Sequence, residues 1–202
     1  MCGRYAFDDP KEIFEIRMIL EEISNVFGES AALSIKQGEV FPTDTVALVA
    51  QRKEGYQSMP MEWGYKMRDS SRRIINARSE TILEKPMFRR SVFEKKCLIP
   101  CTGFYEWQKN DSGKTKYLIL SSKAKFFYLA GIYNTYKENN SFFNRFVIIT
   151  ASANELMKKI HPRMPLIIPA NLKEKWLLGE GDYTNLIDEI YRTPPPLDFI
   201  PL

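Results

Sequence analysis

A few residues in this chain have the type and placement to do chemistry together. They are a cysteine directly after the first methionine (Cys2), an asparagine and an arginine two positions apart (Asn76, Arg78), a glutamate among aromatics (Glu106) and the single histidine (His161). Removal of Met1 would leave Cys2 with a free α-amine beside its thiol, a 1,2-aminothiol. Toward an aldehyde, the amine forms an imine, the thiol adds to it, and a five-membered thiazolidine closes. With ordinary pKa values of about 7.7–8.0 for the amine and about 8.5 for the thiol, neither nucleophile needs a large shift. Cysteine is small enough for ordinary methionine removal, although a cysteine here can equally be an idle packing residue.

The other candidates fit proton transfer and anion binding. Glu106 lies between Tyr105 and Trp107 in an apolar run, where burial would raise a carboxylic acid toward a pKa useful for proton transfer. Alternation puts Phe104, Glu106 and Gln108 on one face, and that face could instead be exposed. His161 is followed by Pro162 and Pro165, whose fixed backbone could hold an imidazole for acid–base work. On an extended segment, Asn76 and Arg78 project from the same side. The amide suits a neutral polar group and the guanidinium a phosphate. Trp63 and Tyr65 offer rings on which bases of single-stranded nucleic acid could stack.

Elements that would position these residues follow from the hydrophobic pattern. Arg4–Phe7 alternates as a short strand carrying the start of the chain into the fold. Asp9, Pro10 and Glu12 form a helix-start pattern, followed by Ile13, Ile16, Leu20, Ile23 and Phe27 at helical spacing and a stop at Gly28. Strands are expected at 46–50, 59–65, 117–120, 126–133 and 146–150, with Leu166–Ile168 strand-like. Short helices are expected at Ser79–Leu83 and Ser152–Ile160, and a last surface helix at Asn171–Leu178 closing at Gly179. Pro194-Pro195-Pro196 marks an extended tail over residues 193–202.

The 202 residues are 44% hydrophobic, which suits one domain over 1–202 with a substantial core. No apolar run approaches a membrane span, and no signal peptide is evident, so a cytoplasmic location is expected. Three cysteines suit reduced thiols, and one histidine without a CxxC pair argues against a metal site. The net charge of +4 is mild. Between Lys66 and Lys96, however, ten Lys or Arg face four acids, enough to steer a polyanion if they share a face.

In order, MCGR at the start, a WG dipeptide, NARSET, CLIPxxGFYEW, and SAN followed by HPRMP resemble the SRAP family of abasic site processing proteins, also called SOS-response-associated peptidases. The motifs run from Met1 to about Leu166. The resemblance implies a single α+β domain with a β-barrel-like mixed sheet core, peripheral helices and a basic groove for single-stranded DNA. It implies a covalent crosslink to abasic sites through Cys2, with Asn76 positioning the terminus and the ring-opened sugar. Glu106 and His161 match the catalytic acid–base residues, Arg4 and Arg78 match phosphate contacts, and Trp63 would line the DNA path. No cofactor, metal or membrane is expected, the partner is single-stranded DNA with abasic sites, and the chain is expected to act as a monomer. Where the family has a small acidic pair after the CLIP proline, this chain has Cys101-Thr102, and Cys101 is expected to be idle. Rival readings are an N-terminal-nucleophile hydrolase or peptidase, in minimal form removing its own Met1, with lyase-type activity also possible, and a DNA-binding module without chemistry.

Overall fold

The computed structural model describes residues 2–8, 13–67, 72–111 and 113–202. In chain order the strands are β1 (Arg4–Phe7), β2 (Gly38–Val40), β3 (Thr45–Gln51), β4 (Tyr56–Trp63), β5 (Tyr65–Lys66), β6 (Arg73–Ile74), β7 (Asn76–Arg78) and β8 (Lys96–Cys101). They continue with β9 (Gly103–Asn110), β10 (Gly113–Ser121), β11 (Phe127–Glu138), β12 (Ser141–Ser152), β13 (Arg163–Pro165), β14 (Ile167–Ile168) and β15 (Leu197–Pro201). The helices are α1 (Phe14–Phe27), α2 (Glu29–Leu33), α3 (Pro86–Glu94), α4 (Lys173–Leu178) and α5 (Tyr183–Arg192).

Five of these strands close on themselves. β4, β3, β8 and β11 pair antiparallel in that order, β11 pairs antiparallel with β12, and β12 returns to β4 in parallel, matching Phe146 to Trp63. Closure removes the free edges a flat sheet would expose. It also explains the unbroken apolar runs in β3, β8 and the inner halves of β11 and β12, which are buried on both faces. The strands approach so closely at Gly131 that a Cβ there would stand 2.5 Å from Ile99 Cδ1 and 2.9 Å from Cys97 Sγ. The hairpin joining β11 to β12 turns through Asn139 and Asn140, both at positive φ (48° and 63°); this is the turn chemistry that a two-residue hairpin loop requires.

A second, antiparallel sheet runs β15-β10-β9-β1-β2. The two sheets thus make an α+β domain with a barrel core. Helix α1 lays Ile16, Ile19 and Ile23 inward, and α4 buries Trp176, whose indole N–H donates to the Cys97 carbonyl. Among the described residues, no helix is long and apolar enough to cross a membrane.

Several local expectations change. The Asp9–Glu12 helix start lies outside the described residues, and α1 begins after Ile13 without a side-chain cap. In place of a helix at 79–83 there is a single 3-10 turn, Ile82–Glu84, after which Pro86 opens α3. The segment 152–160 holds only the 3-10 turn Met157–Lys159, because Ser152 still belongs to β12. The helix at Asn171–Leu178 is not the last, since α5 follows it, capped by Asp182 accepting from the amides of Thr184 and Asn185. The proline-rich tail is not free: β15 pairs with β10 from Leu197↔Ser121 to Pro201↔Tyr117.

Among the described residues, some cations of the basic segment are compensated or buried. Arg73 and Arg145 both engage Glu62, while Arg145 and Lys66 engage Glu138. Lys96 is buried, 3% exposed, with its ammonium 5.7 Å from the Trp176 ring centroid. Burial pulls its pKa down to about 8. In the unfolded chain it titrates near 10.4, so the unfolded state binds more protons between those values and this residue's contribution to stability rises as pH climbs through that window. Lys96→Met should therefore raise Tm at pH 7 by about 2–4 °C, on the order of 1 kcal/mol, with the gain shrinking above pH 10. Calorimetry at the two pH values checks it, and a constant difference would contradict it.

Candidate active site

The site begins where β1 enters between its neighbours. Arg4 pairs with Tyr105 and Tyr5 with both Phe104 and Val40, which brings Cys2 beside the strand that carries Glu106. The Cys2 thiol is fully buried and donates to the Arg4 carbonyl at 3.7 Å. From the barrel side, β7 adds in parallel to β12, pairing Asn76 with Ile148 and Arg78 with Thr150. Asn76 Nδ2 then donates to the Cys2 carbonyl at 2.9 Å. Among the described residues, Asn76 Oδ1 is buried and has no hydrogen-bond partner, an acceptor aimed into the site.

Glu106 is 2% exposed, so its face of β9 is the inner one. Its Oε1 lies 3.9 Å from His161 Nδ1, too long for a hydrogen bond and short enough for electrostatic coupling. His161 Nδ1 accepts the Arg163 amide N–H at 3.0 Å. The same Nδ1 lies 3.1 Å from the Arg163 carbonyl oxygen, so the Arg163 backbone holds the ring whichever nitrogen carries its proton. Two motifs distant in sequence are locked together behind it. Arg163 grips Glu80 in a two-pronged ion pair (2.6 and 3.0 Å) and also donates to the Thr150 carbonyl at 2.6 Å. Although partial burial works the other way, those Arg163 hydrogen bonds hold the Glu80 carboxyl below its usual pKa.

The thiol departs from the expectation of an unshifted nucleophile. Burial, reinforced by the negative charge of Glu106, pushes the Cys2 thiol far up, so it rests protonated at neutral pH. Burial raises Cys97 and Cys101 in the same way, and all three thiols are free. Cys101 is fully buried in β8, as an idle core residue would be.

Of the proposed anion contacts, Arg78 is exposed on the Asn76 side of β7. Arg4 sits at the mouth, its guanidinium 4.5 Å from the Phe41 ring centre and 5.2 Å from that of Trp107. It shares Glu39 with Lys116 at 3.1 and 2.9 Å. Sequence reasoning missed this Arg4–Glu39–Lys116 group and the flanking Phe41 and Trp107. The pairing of β1 with β2 and β9, and of β9 with β10, assembles them.

Trp63 does not reach a DNA path. It is 0% exposed, packed on Tyr5 and Phe146, and its indole N–H donates to the Ile75 carbonyl at 3.0 Å. Tyr65, 1% exposed, is likewise in the core. The tryptophan instead pins the residue before Asn76, so the WG dipeptide is scaffold for the site.

The chain belongs to the SRAP family. The pattern of that family, SOS response associated peptidase, matches residues 1–199. Abasic site processing protein YoaM of Bacillus subtilis is 34% identical over 190 residues, covering 88% of this chain and 79% of the relative. Abasic site processing protein YedK of Escherichia coli is 27% identical over 181 residues, covering 89% and 81%. A crystal structure of a protein from Bacteroides thetaiotaomicron shares the SRAP-type fold, with a TM-score of 0.79 at 22% identity over all of this chain and 92% of that one.

Trp63→Phe removes the bond to Ile75 and should cost about 1–3 kcal/mol of stability without changing affinity for single-stranded DNA. Thermal denaturation and fluorescence-anisotropy titration check this; lost affinity in fully folded protein would return Trp63 to a contact role.

Proposed function

We propose that this chain processes abasic sites in single-stranded DNA by forming a thiazolidine between Cys2, after loss of Met1, and the sugar aldehyde. The observation that carries the reading is the Asn76 hydrogen bond to the Cys2 carbonyl. It fixes the backbone of Cys2 near Glu106, whose charge acts on the thiol. The names of the relatives, abasic site processing proteins, support the substrate class.

The steps balance without a redox partner. Ring opening of the abasic sugar breaks the bond from its anomeric carbon to the ring oxygen; that oxygen gains a proton, and the anomeric hydroxyl loses one as the aldehyde forms. His161, an imidazole 3.9 Å from Glu106, is suited to the first task. The Cys2 amine then adds to the aldehyde and one water leaves, giving the imine. Glu106, beside Cys2, takes up and returns the amine protons. Finally the thiol sulfur bonds to the imine carbon and its proton passes to the nitrogen. Because burial keeps the thiol protonated, this last transfer needs a nearby base, and Glu106 is placed for it. Asn76 orients without titrating, and its unpartnered Oδ1 is an acceptor for a sugar hydroxyl.

Arg78 and Arg4 supply phosphate contacts at the edge of the site, and the Trp107 and Phe41 rings offer stacking surface. Such contacts hold a strand without reading sequence. Binding is therefore expected to be nearly sequence-independent and to weaken with salt.

Purified protein mixed with single-stranded DNA carrying one abasic site should give a shifted band on a denaturing gel. Cys2→Ala should give none. Cys2→Ser keeps the amine but closes no thiazolidine, so its adduct should survive only after borohydride reduction. Asn76→Ala should slow formation at least tenfold, an amount typical of lost positioning. Intact mass should show Met1 removed in the active protein. Absence of a band from the native protein would overturn the reading, and peptide hydrolysis that persists in excess abasic DNA would favour the hydrolase alternative.

A further inference from the structure

We propose that Gln108 is a positioning residue for the acid–base pair, acting through the turn that precedes His161. This rests on the proposed function above only for its kinetic consequence. The structural part stands on the geometry alone.

Gln108 lies two residues beyond Glu106 on β9, so both side chains leave the same face of the strand. Its Nε2 donates to the Lys159 carbonyl at 2.6 Å, and its Oε1 accepts from the Tyr117 hydroxyl at 3.2 Å. Tyr117 is the cross-strand partner of Glu106 itself. The amide therefore has its acceptor fixed to the strand pair carrying Glu106 and its donor spent on the segment carrying His161.

That segment is braced internally. The Met157 amide donates to Asn154 Oδ1 at 2.9 Å, the His161 amide to the Met157 carbonyl at 2.9 Å, and the Ala153 amide to the Pro162 carbonyl at 3.0 Å. The turn Met157–Lys159 and His161 consequently move as one piece. On its far side the piece is tied to β12 through Arg163, and on its near side to β9 through Gln108. The 3.9 Å between Glu106 and His161 spans these two attachments, and releasing one lets the gap drift. A catalytic pair displaced by about 1 Å can lose two orders of magnitude in rate.

Because His161 is the single histidine, its imidazole 15N signals can be read without assignment ambiguity. In Gln108→Leu these signals should shift at fixed pH relative to the native protein, since the ring loses its fixed relation to Glu106. They should stay in place in Lys109→Ala, a change at the exposed neighbour. Tyr117→Phe, which removes only the donor to Gln108, should move them less and guards against a misfolded leucine variant. The single-turnover crosslinking rate should fall about tenfold in Gln108→Leu, with affinity for DNA bearing a non-reactive tetrahydrofuran site unchanged. Superimposable His161 signals in native and Gln108→Leu proteins would overturn the inference, as would an affinity loss that accounts for the whole rate effect. Shifted signals in Gln108→Leu, together with a native protein that makes no adduct, would refute the crosslinking reading while leaving this positioning role standing.

Discussion

The constraint on which the site depends is the joining of two separately built sheets at Cys2. The barrel presents Asn76 on a short parallel strand added to β12, and the five-stranded sheet presents Cys2 at the start of β1. The bond from the Asn76 amide to the Cys2 carbonyl closes the seam. Everything else either brings these strands to the seam or holds it in register. The Trp63 indole, fully buried between Tyr5 of one sheet and Phe146 of the other, fixes Ile75 from below. A terminal segment is ordinarily the loosest part of a domain. Here it is a central strand flanked by β2 and β9, which gives a reactive terminus a defined direction.

Charge is compensated where it is buried. Arg145, nearly buried, is compensated by Glu62 and Glu138, as a desolvated guanidinium must be. The same carboxylates engage Arg73 and Lys66, two cations of the basic run. Arg78 remains exposed beside Asn76, while Arg4 shares Glu39 with Lys116. Any phosphate arriving near Arg4 competes with Glu39, whose carboxyl is held ionised by hydrogen bonds from Lys116 and Arg4 despite partial burial. Arg4 and Arg78 thus bring positive charge to the strands that carry Cys2 and Asn76.

Much of this was legible in the residues, and the failures have physical causes. The barrel strands stand out because strands covered on both faces read as unbroken apolar runs, whereas alternation in β9 grouped Phe104 with Glu106 but left open which face is the inner one. Cys2, Asn76, Glu106 and His161, scattered over the chain, do converge. Trp63 was misjudged because its burial depends on Tyr5 and Phe146, partners supplied only by barrel closure and the docking of β1. Helix α5 was missed although Asp182 is a good N-cap and Tyr183, Leu186 and Ile190 recur at helical spacing. The prolines just after it drew attention to an extended tail. The segment 152–160 fails as a helix because β12 claims its start and Pro162 closes it soon after, which leaves room for one tight turn.

The buried thiol constrains the order of chemical events. A thiolate-first route would need ionisation of a group that burial and a neighbouring carboxylate both hold protonated. An amine-first route places the demand elsewhere. In the proposed reaction the amine would react in its neutral form, the thiol would stay covered until an imine carbon is within reach, and its proton would leave as the sulfur–carbon bond forms. Burial then has a use besides packing, because a protonated, enclosed sulfur is a poor target for oxidants and stray electrophiles. The carboxylate that disfavours a resting thiolate is also a base close enough to act on it. Glu106 can therefore keep the nucleophile quiet before the aldehyde arrives and accept its proton afterward, and the imidazole 3.9 Å away can share that proton within the same enclosure.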